Sequence, residues 1–393
     1  MAAFSVLDQA PTRADTSPAQ SIRDVLGLAR HAEALGYRRF WIAEHHAMGG
    51  VASTAPEILI GQVAAITKKL RVGSGGMLLP NHRPVHVAEQ FLTLAALHPG
   101  RIDLGIGRSE GATDDATVRA FQRSSDNSHG AGFDAQLDEL LAFGGVRPLG
   151  ADHPLAGVRA GPAGVPLPPV FLLGSSPNSA ATAAARGLGY GFAAYTNPEA
   201  AGPALRLYRE RFTPARSGDR PHAILGLKVI VGENDEHAEA LARPWHLALV
   251  RHRAGTPGPL MSVEAALRHR WTGAEREAEA KVDTRADVVG GPDTVRRRLA
   301  ELLEETQADE VIASSNTFDP ADRWASYARL ALAVSLRPRA SGRPEPWTDW
   351  SYWGTPADPS PAHRLEPRLS RNGGTPSPAH ADTREARARL SGR

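Results

Sequence analysis

Arg71 to Gly111, RVGSGGMLLPNHRPVHVAEQFLTLAALHPGRIDLGIGRSEG, packs a short β-type run, a glycine turn, an apolar-periodic helix and a second buried strand into one stretch. Arg71–Ser74 ends in Gly75-Gly76, Pro84–Leu97 carries the helical period, and Ile102–Ile106 runs into Gly107-Arg108. Strand, helix, strand in that order predicts parallel strands, with polar and glycine residues gathered where the strands end. Parallel α/β folds bind ligands at the carboxyl ends of their strands, so Gly75, Gly76, Gly107 and Arg108 form a candidate site.

Outward from this stretch the same alternation continues. Upstream, Phe4–Leu7 and Arg39–Ala43 read as strands, with helices over Ser17–Leu35 and Glu57–Lys68, the latter begun by Pro56. Downstream, strands are expected at Val170–Leu173, Gly191–Ala194, Ile224–Val231 and Glu310–Ala313. The helices between and after them are Leu137–Phe143, Pro177–Arg186, Glu199–Phe212, Glu236–Val250, Pro292–Thr306 and Ala321–Val334. About eight strands, each followed by helix, favour a closed (β/α)₈ barrel of the TIM type over an open sheet. Gly144–Pro169, rich in Gly and Pro, reads as an irregular insertion, and 251–290 as a polar, partly helical excursion of the kind that lids a barrel.

Composition narrows the function classes. The chain of 393 residues has no cysteine, which removes disulfides, thiolate zinc sites and cysteine nucleophiles together. The start lacks a basic segment followed by an apolar run, and no stretch reaches the roughly 18 apolar residues of a spanning helix, so a soluble, cytoplasmic protein is expected. The formal net charge is +2, but residues 337–393 carry ten Arg against six acids. The body therefore has no nucleic-acid footprint. Residues 1–336 are expected to form the barrel, and the Pro- and Arg-rich 337–393 a largely disordered extension. Within that extension Trp347, Trp350 and Trp353 form an aromatic island that could dock back on the barrel.

Three clusters could carry chemistry. Glu44-His45-His46 lies at the carboxyl end of the second strand, where alternation turns one histidine toward the barrel mouth. A metal reading would add His82 and His86, but no complete ligand pattern accompanies them. Gly105-Ile-Gly107-Arg-Ser-Glu-Gly111 is one residue too long for the dinucleotide fingerprint, so a nicotinamide site is not expected there. Arg108 offers a planar, permanently charged fork suited to phosphate. Gly174-Ser175-Ser176-Pro177-Asn178-Ser179 is a glycine turn into a helix, with Ser176 as N-cap and free backbone donors for an anion.

FWIAEHH (Phe40–His46), VGSGGMLLPNHRPVHVAEQFLTLAALHPGRIDLGIGR (Val72–Arg108), LLGSSPNSA (Leu172–Ala180) and GGPDTVRRRLAELLEETQADEVI (Gly290–Ile312) together resemble the bacterial luciferase-like flavin monooxygenases. The resemblance covers roughly residues 4 to 336 and implies a (β/α)₈ barrel, usually dimeric, with flavin mononucleotide (FMN) at the strand ends. It implies that His45 acts near the flavin, beside Glu44, and that a non-prolyl cis peptide at Gly75-Gly76 lies under the ring. It implies that Arg108 and the turn of Gly174, Ser175, Ser176 and Ser179 hold the phosphate. The luciferases place a reactive cysteine where this chain has Gly107, so light emission is not expected. The expected function is a reduced-flavin-dependent monooxygenase that inserts one oxygen atom from O₂ into a small organic substrate, with a separate flavin reductase and a homodimer through the second and third helices. The alternatives are a deazaflavin-dependent hydride-transfer enzyme and a non-catalytic flavin-binding barrel.

Overall fold

The computed structural model describes residues 2–109, 115–121, 132–215 and 218–338. The Trp347–Trp353 island and all of the extension beyond Pro338 lie outside the described residues, as does part of the connection between 109 and 133.

The chain runs β1 (Ala3–Asp8), α1 (Pro18–Leu35), β2 (Arg39–Ile42), α2 (Pro56–Ile66), β3 (Arg71–Ser74), β4 (Met77–Leu78), α3 (Pro84–Leu97), β5 (Ile102–Gly107) and α4 (Asp115–Phe121). It continues through α5 (Phe133–Phe143), β6 (Val170–Gly174), α6 (Pro177–Ala185), β7 (Gly189–Ala193), α7 (Ala201–Glu210) and β8 (Ala223–Val231). Then come α8 (Asp235–Arg253), α9 (Val263–Arg268), α10 (Gly273–Glu279), β9 (Val288–Gly290), α11 (Pro292–Thr306), β10 (Glu310–Ser314) and α12 (Pro320–Ala333).

Local sequence fixes several boundaries. Ser17 caps α1 by accepting from Gln20 N, Pro18 opens its first turn, and Gly36 ends it at φ 91°, in the left-handed region that favours glycine. Asp319 caps α12 by accepting from Ala321 N. The strands are buried almost throughout, as strands covered on both faces must be.

All neighbouring strands pair in parallel. β1, β2, β3, β5, β6, β7, β8 and β10 lie side by side, and β10 pairs with both β1 and β8, through Ala3↔Glu310 and Glu310↔Ile224. The sheet therefore closes into an eight-stranded barrel, and these are the eight strands expected from the sequence. β4 resumes the path of β3 after Gly75-Gly76 and pairs with the end of β5 through Met77↔Ile106. One apolar core fills the space between strands and helices, and a smaller one, Leu7, Trp41, Ala43, Phe171, Ile224 and Ile312, fills the barrel itself.

One expected pairing of strand and helix needs correcting. The segment 236–250 is helical, yet α11 is the helix that packs between α7 and α12 in the outer ring. α8 touches β8 but packs mainly against α9, α10 and β9, and β9 pairs with the outer end of β8 through Val229↔Val288. The lid-like insertion thus begins near 235 and not at 251. It reaches the segment beyond β1, where Leu260 forms a parallel bridge with Arg13 and donates from its N–H to Thr12 O at 2.8 Å. Gly144–Pro169 has no helix or strand, in line with its Gly and Pro content.

Candidate active site

Inward-facing residues stack in layers along the barrel axis. The lowest layer is a buried ionic network. Arg39 donates from Nη1 to Asp103 at 2.7 Å and from Nε to both Glu310 oxygens at 3.0 Å. Arg71 adds to Asp103, Ser5 Oγ donates to Glu310, and His222 Nε2 lies 3.0 Å from Glu310 Oε2. Burial alone would raise the Glu310 carboxyl, but His222, Arg39 and Ser5 outweigh it and hold the group at about 2. This floor seals one end of the barrel with satisfied charges.

The next layer is apolar. Trp41 donates its Nε1–H to Asp103 at 3.3 Å and meets Phe171 edge-on, with ring centroids 5.1 Å apart. Above it opens a cavity lined by Leu7, Trp41, Leu173, Tyr195, Ile224 and Ile312, and by Gly75, Gly191 and Gly226. The glycines create this space. A Cβ on Gly75 would lie 2.5 Å from Leu7 Cδ1, and one on Gly191 would lie 2.6 Å from Leu173 Cδ2. The Gly75–Gly76 peptide is cis, as the resemblance implied.

Strand β2 ends at Ile42, so Glu44-His45-His46 lies in the segment beyond it and not within the strand. Glu44 is buried and accepts from Leu78 N at 2.8 Å, while its Oε1 lies 2.7 Å from His46 Nε2 and 2.8 Å from His82 Nε2. Burial raises this carboxyl, yet His82, Leu78 and His46 together leave it below its usual range. Glu44 therefore ties the end of β2 to β4 and to the turn holding His82. His86 is not drawn into this group, and among the described residues no cluster of three or more His, Asp or Glu is arranged to hold a metal ion.

His45 points elsewhere. Its backbone N–H donates to Ser53 O at 3.0 Å, and its side-chain Nδ1 is buried with no partner among the described residues. Burial, reinforced by Lys228 and His46, pushes the imidazole down to about 4. The sequence alone suggests a group that exchanges protons near neutrality; in the fold His45 is held neutral at pH 7.

The two anion-binding candidates come together as the topology requires. β5 and β6 are neighbours, with Gly107 opposite Leu173, so Arg108 and Gly174-Ser175 leave adjacent strand ends. Arg108 is exposed, with its guanidinium carbon 5.5 Å from the Phe133 ring centroid. Ser176 caps α6 in a reciprocal box with Ser179. The Ser179 hydroxyl donates to Ser176 O at 2.7 Å and lies 2.9 Å from Tyr190 Oη, so it braces the turn. Gly174 makes room for that bracing, because a Cβ there would lie 2.2 Å from Ser179 Oγ. Asn197 Nδ2 donates to Ser175 O at 3.1 Å from the next strand's loop.

Comparison with known proteins places this barrel in a family. The chain belongs to the luciferase-like monooxygenase family. The family's sequence profile, described as "Luciferase-like monooxygenase", covers residues 2–310. YvbT, an uncharacterised protein of Bacillus subtilis strain 168, is 42% identical over 329 residues, 84% of this chain and 95% of that one. A luciferase-like monooxygenase of Escherichia coli K12 is 39% identical over 84% of this chain and 96% of its own length. The N-acetyl-S-alkylcysteine monooxygenase of B. subtilis strain 168 is 40% identical over 51% of this chain and 59% of its own. Among solved structures, apo-MsnO8 superposes with a TM-score of 0.76 at 36% identity, over 86% of this chain and all of that one. Two more distant structures share the fold alone. The FMN-bound oxygenating constituent of 3,6-diketocamphane monooxygenase from Pseudomonas putida has a TM-score of 0.62 at 19% identity, over 85% of this chain and 98% of that one. A coenzyme F420-dependent tetrahydromethanopterin reductase from Methanopyrus kandleri has 0.54 at 17%, over 86% and 99%.

Sequence reasoning missed Lys228. It projects inward from β8 toward the mouth, with its ammonium 3.3 Å from the ring centroid of Trp245 on α8. The signal was present, since Lys228 is the one charged residue in the run AILGLKVIV and shares the alternation of Ile224 and Gly226.

Proposed function

We propose that the protein is a reduced-FMN-dependent monooxygenase of small organic substrates. The observation that carries this reading is the cavity that Gly75, Gly191 and Gly226 leave between Leu7, Trp41 and Tyr195, a slot with apolar walls suited to a flat aromatic ring. The unpartnered Nδ1 of His45 and the paired strand ends at Arg108 and Ser175 supply the polar groups such a cofactor needs.

Bound there, reduced flavin would supply the electrons and the activated oxygen. In this reading Arg108 and the Gly174–Ser179 turn hold the phosphate, with a bidentate charged fork on one side and α6 amides on the other. Glu44 positions the segment that carries His45. His45, neutral at working pH, offers a hydrogen bond toward the reacting face. The lid of α8–α10 excludes water from the mouth. With no nicotinamide fingerprint in the chain, a separate reductase delivers the reduced cofactor.

The same reading makes the protein a homodimer through α2 and α3, which leave Ile58 64% and Leu97 67% exposed. The body, 1–336, acts as one domain and 337–393 as an appendage outside the chemistry. Measuring O₂ uptake on addition of reduced FMN, with and without candidate thioether and ketone substrates, tests the proposal. Substrate-stimulated uptake supports it. Turnover only with a reduced deazaflavin, and without O₂, would transfer the assignment to hydride transfer.

A further inference from the structure

Lys228 is 6% exposed in a strand whose every residue is buried. Its Nζ lies 2.9 Å from the Asn316 amide, whose oxygen accepts from it when the nitrogen turns to Ser315 O at 3.2 Å. With Trp245 over one side and Asn316 on another, the ammonium is held in a fixed place one alternation step above the cavity-lining Gly226. Among the described residues, no carboxylate comes within ion-pairing distance of it. The charged and titratable groups facing it are Asp287 ahead of β9, Arg323 of α12 and His45 beyond β2. Arg323 is already committed to Asp8 at 2.9 Å.

An ammonium taken out of water with no carboxylate in direct contact, and only Asp287 facing it from farther off, is costly, and a buried Met or Leu would fill the same space at less cost. Desolvation accordingly lowers the amine well below its ordinary value, and an anion arriving beside it would favour the charged form again. Stability gives no reason to place it here, but an incoming anion would. We infer that Lys228 is a substrate-recognition residue that binds a monoanionic group, a carboxylate or a sulfonate, on an organic molecule whose apolar part lies over the cofactor held in the cavity below. One point charge beside one amide matches a single negative charge. A phosphate dianion would need a second cation, and here Arg323 is taken and His45 is neutral. The inference rests on the proposal that the cavity is the reaction site, and it adds the substrate class.

Calorimetric titration of the full-length, FMN-loaded protein without reductant tests it, using hexanoate, hexane-1-sulfonate and hexanamide as probes. The wild type should bind at least one of the two anions about tenfold or more tighter than hexanamide, as a charged hydrogen bond implies. Whichever anion is preferred identifies the group. In Lys228→Met the ratio should fall to about one, with hexanamide affinity unchanged, and Lys228→Arg should retain part of the preference. Circular dichroism checks that both variants fold, and the same titrations on flavin-free protein should give the same ratios. No anion preference in the wild type, an undiminished preference in Lys228→Met, or no binding of any probe would overturn the inference. Flavin loading is read separately from visible absorbance, so failure of the cofactor reading cannot be mistaken for failure of this one.

Discussion

Replacing Glu310 tests the barrel floor on which the site stands. Its carboxylate is fully buried and meets Ser5, Arg39 and His222, with Arg38 at 3.7 Å. Glu310→Ala leaves Arg39 with only Asp103 and strips His222 of its partner. Breaking a buried pair from one side costs about 3 to 5 kcal/mol, so urea unfolding at neutral pH should show a loss of that size. Glu310→Gln gives a second readout. The folded-state pKa is depressed from the ordinary 4.5 to about 2, so this group's stabilisation is complete above 4.5 and is lost as pH falls toward 2. That shift corresponds to about 3 kcal/mol of acid-labile stability, and the Gln variant should lack this part of the acid limb. A loss under about 1 kcal/mol in Glu310→Ala, the range of exposed pairs, or an unchanged acid limb in Glu310→Gln would show that the buried network does not stabilise the barrel floor.

Arg108→Ala should weaken FMN binding by about 10- to 150-fold and leave riboflavin, which lacks the phosphate, nearly unchanged; equal losses for both, read by flavin fluorescence, would show that Arg108 supports the ring or the fold. Because His45 is held down to about 4, no limb of the pH–rate profile between pH 5 and 8 should disappear in His45→Ala, and loss of such a limb would show that the imidazole titrates there after all. Light scattering at micromolar concentration should give a dimer mass, and Ile58→Glu with Leu97→Glu should shift it to monomer; a monomeric wild type would exclude the α2–α3 interface.

The sequence carried the eight strands because each is a short apolar run bounded by glycine, proline or a capped helix. The Arg71–Gly111 stretch alone placed Gly75, Gly76 and Arg108 at strand ends. The position of α8 was not legible. Ala238, Leu241 and Val250 give the same periodicity whether the helix covers a barrel strand or its mouth, since the pattern records that one face is buried and not against what. β9, at three residues, is too short to register as a strand. The ionic floor left a trace that only closure explains: Arg39, Arg71 and Glu310 are the first residues of their strands and Asp103 the second. They meet because strands far apart in sequence converge on one axis. His45 was legible as a residue but not as a neutral one, because neither its burial nor the nearby Lys228, nearly two hundred residues away in sequence, shows in the local pattern.

Incorporation of heavy-isotope dioxygen separates oxygenation by this barrel from hydride transfer. The protein, supplied with reduced FMN and an organic acid that stimulates its O₂ uptake, is exposed to labelled O₂ and the product examined by mass spectrometry. A product carrying one labelled oxygen atom is expected, absent without O₂ and strongly diminished in His45→Ala. An unlabelled oxidation product, or one formed equally well without O₂ from a deazaflavin, would contradict oxygenation.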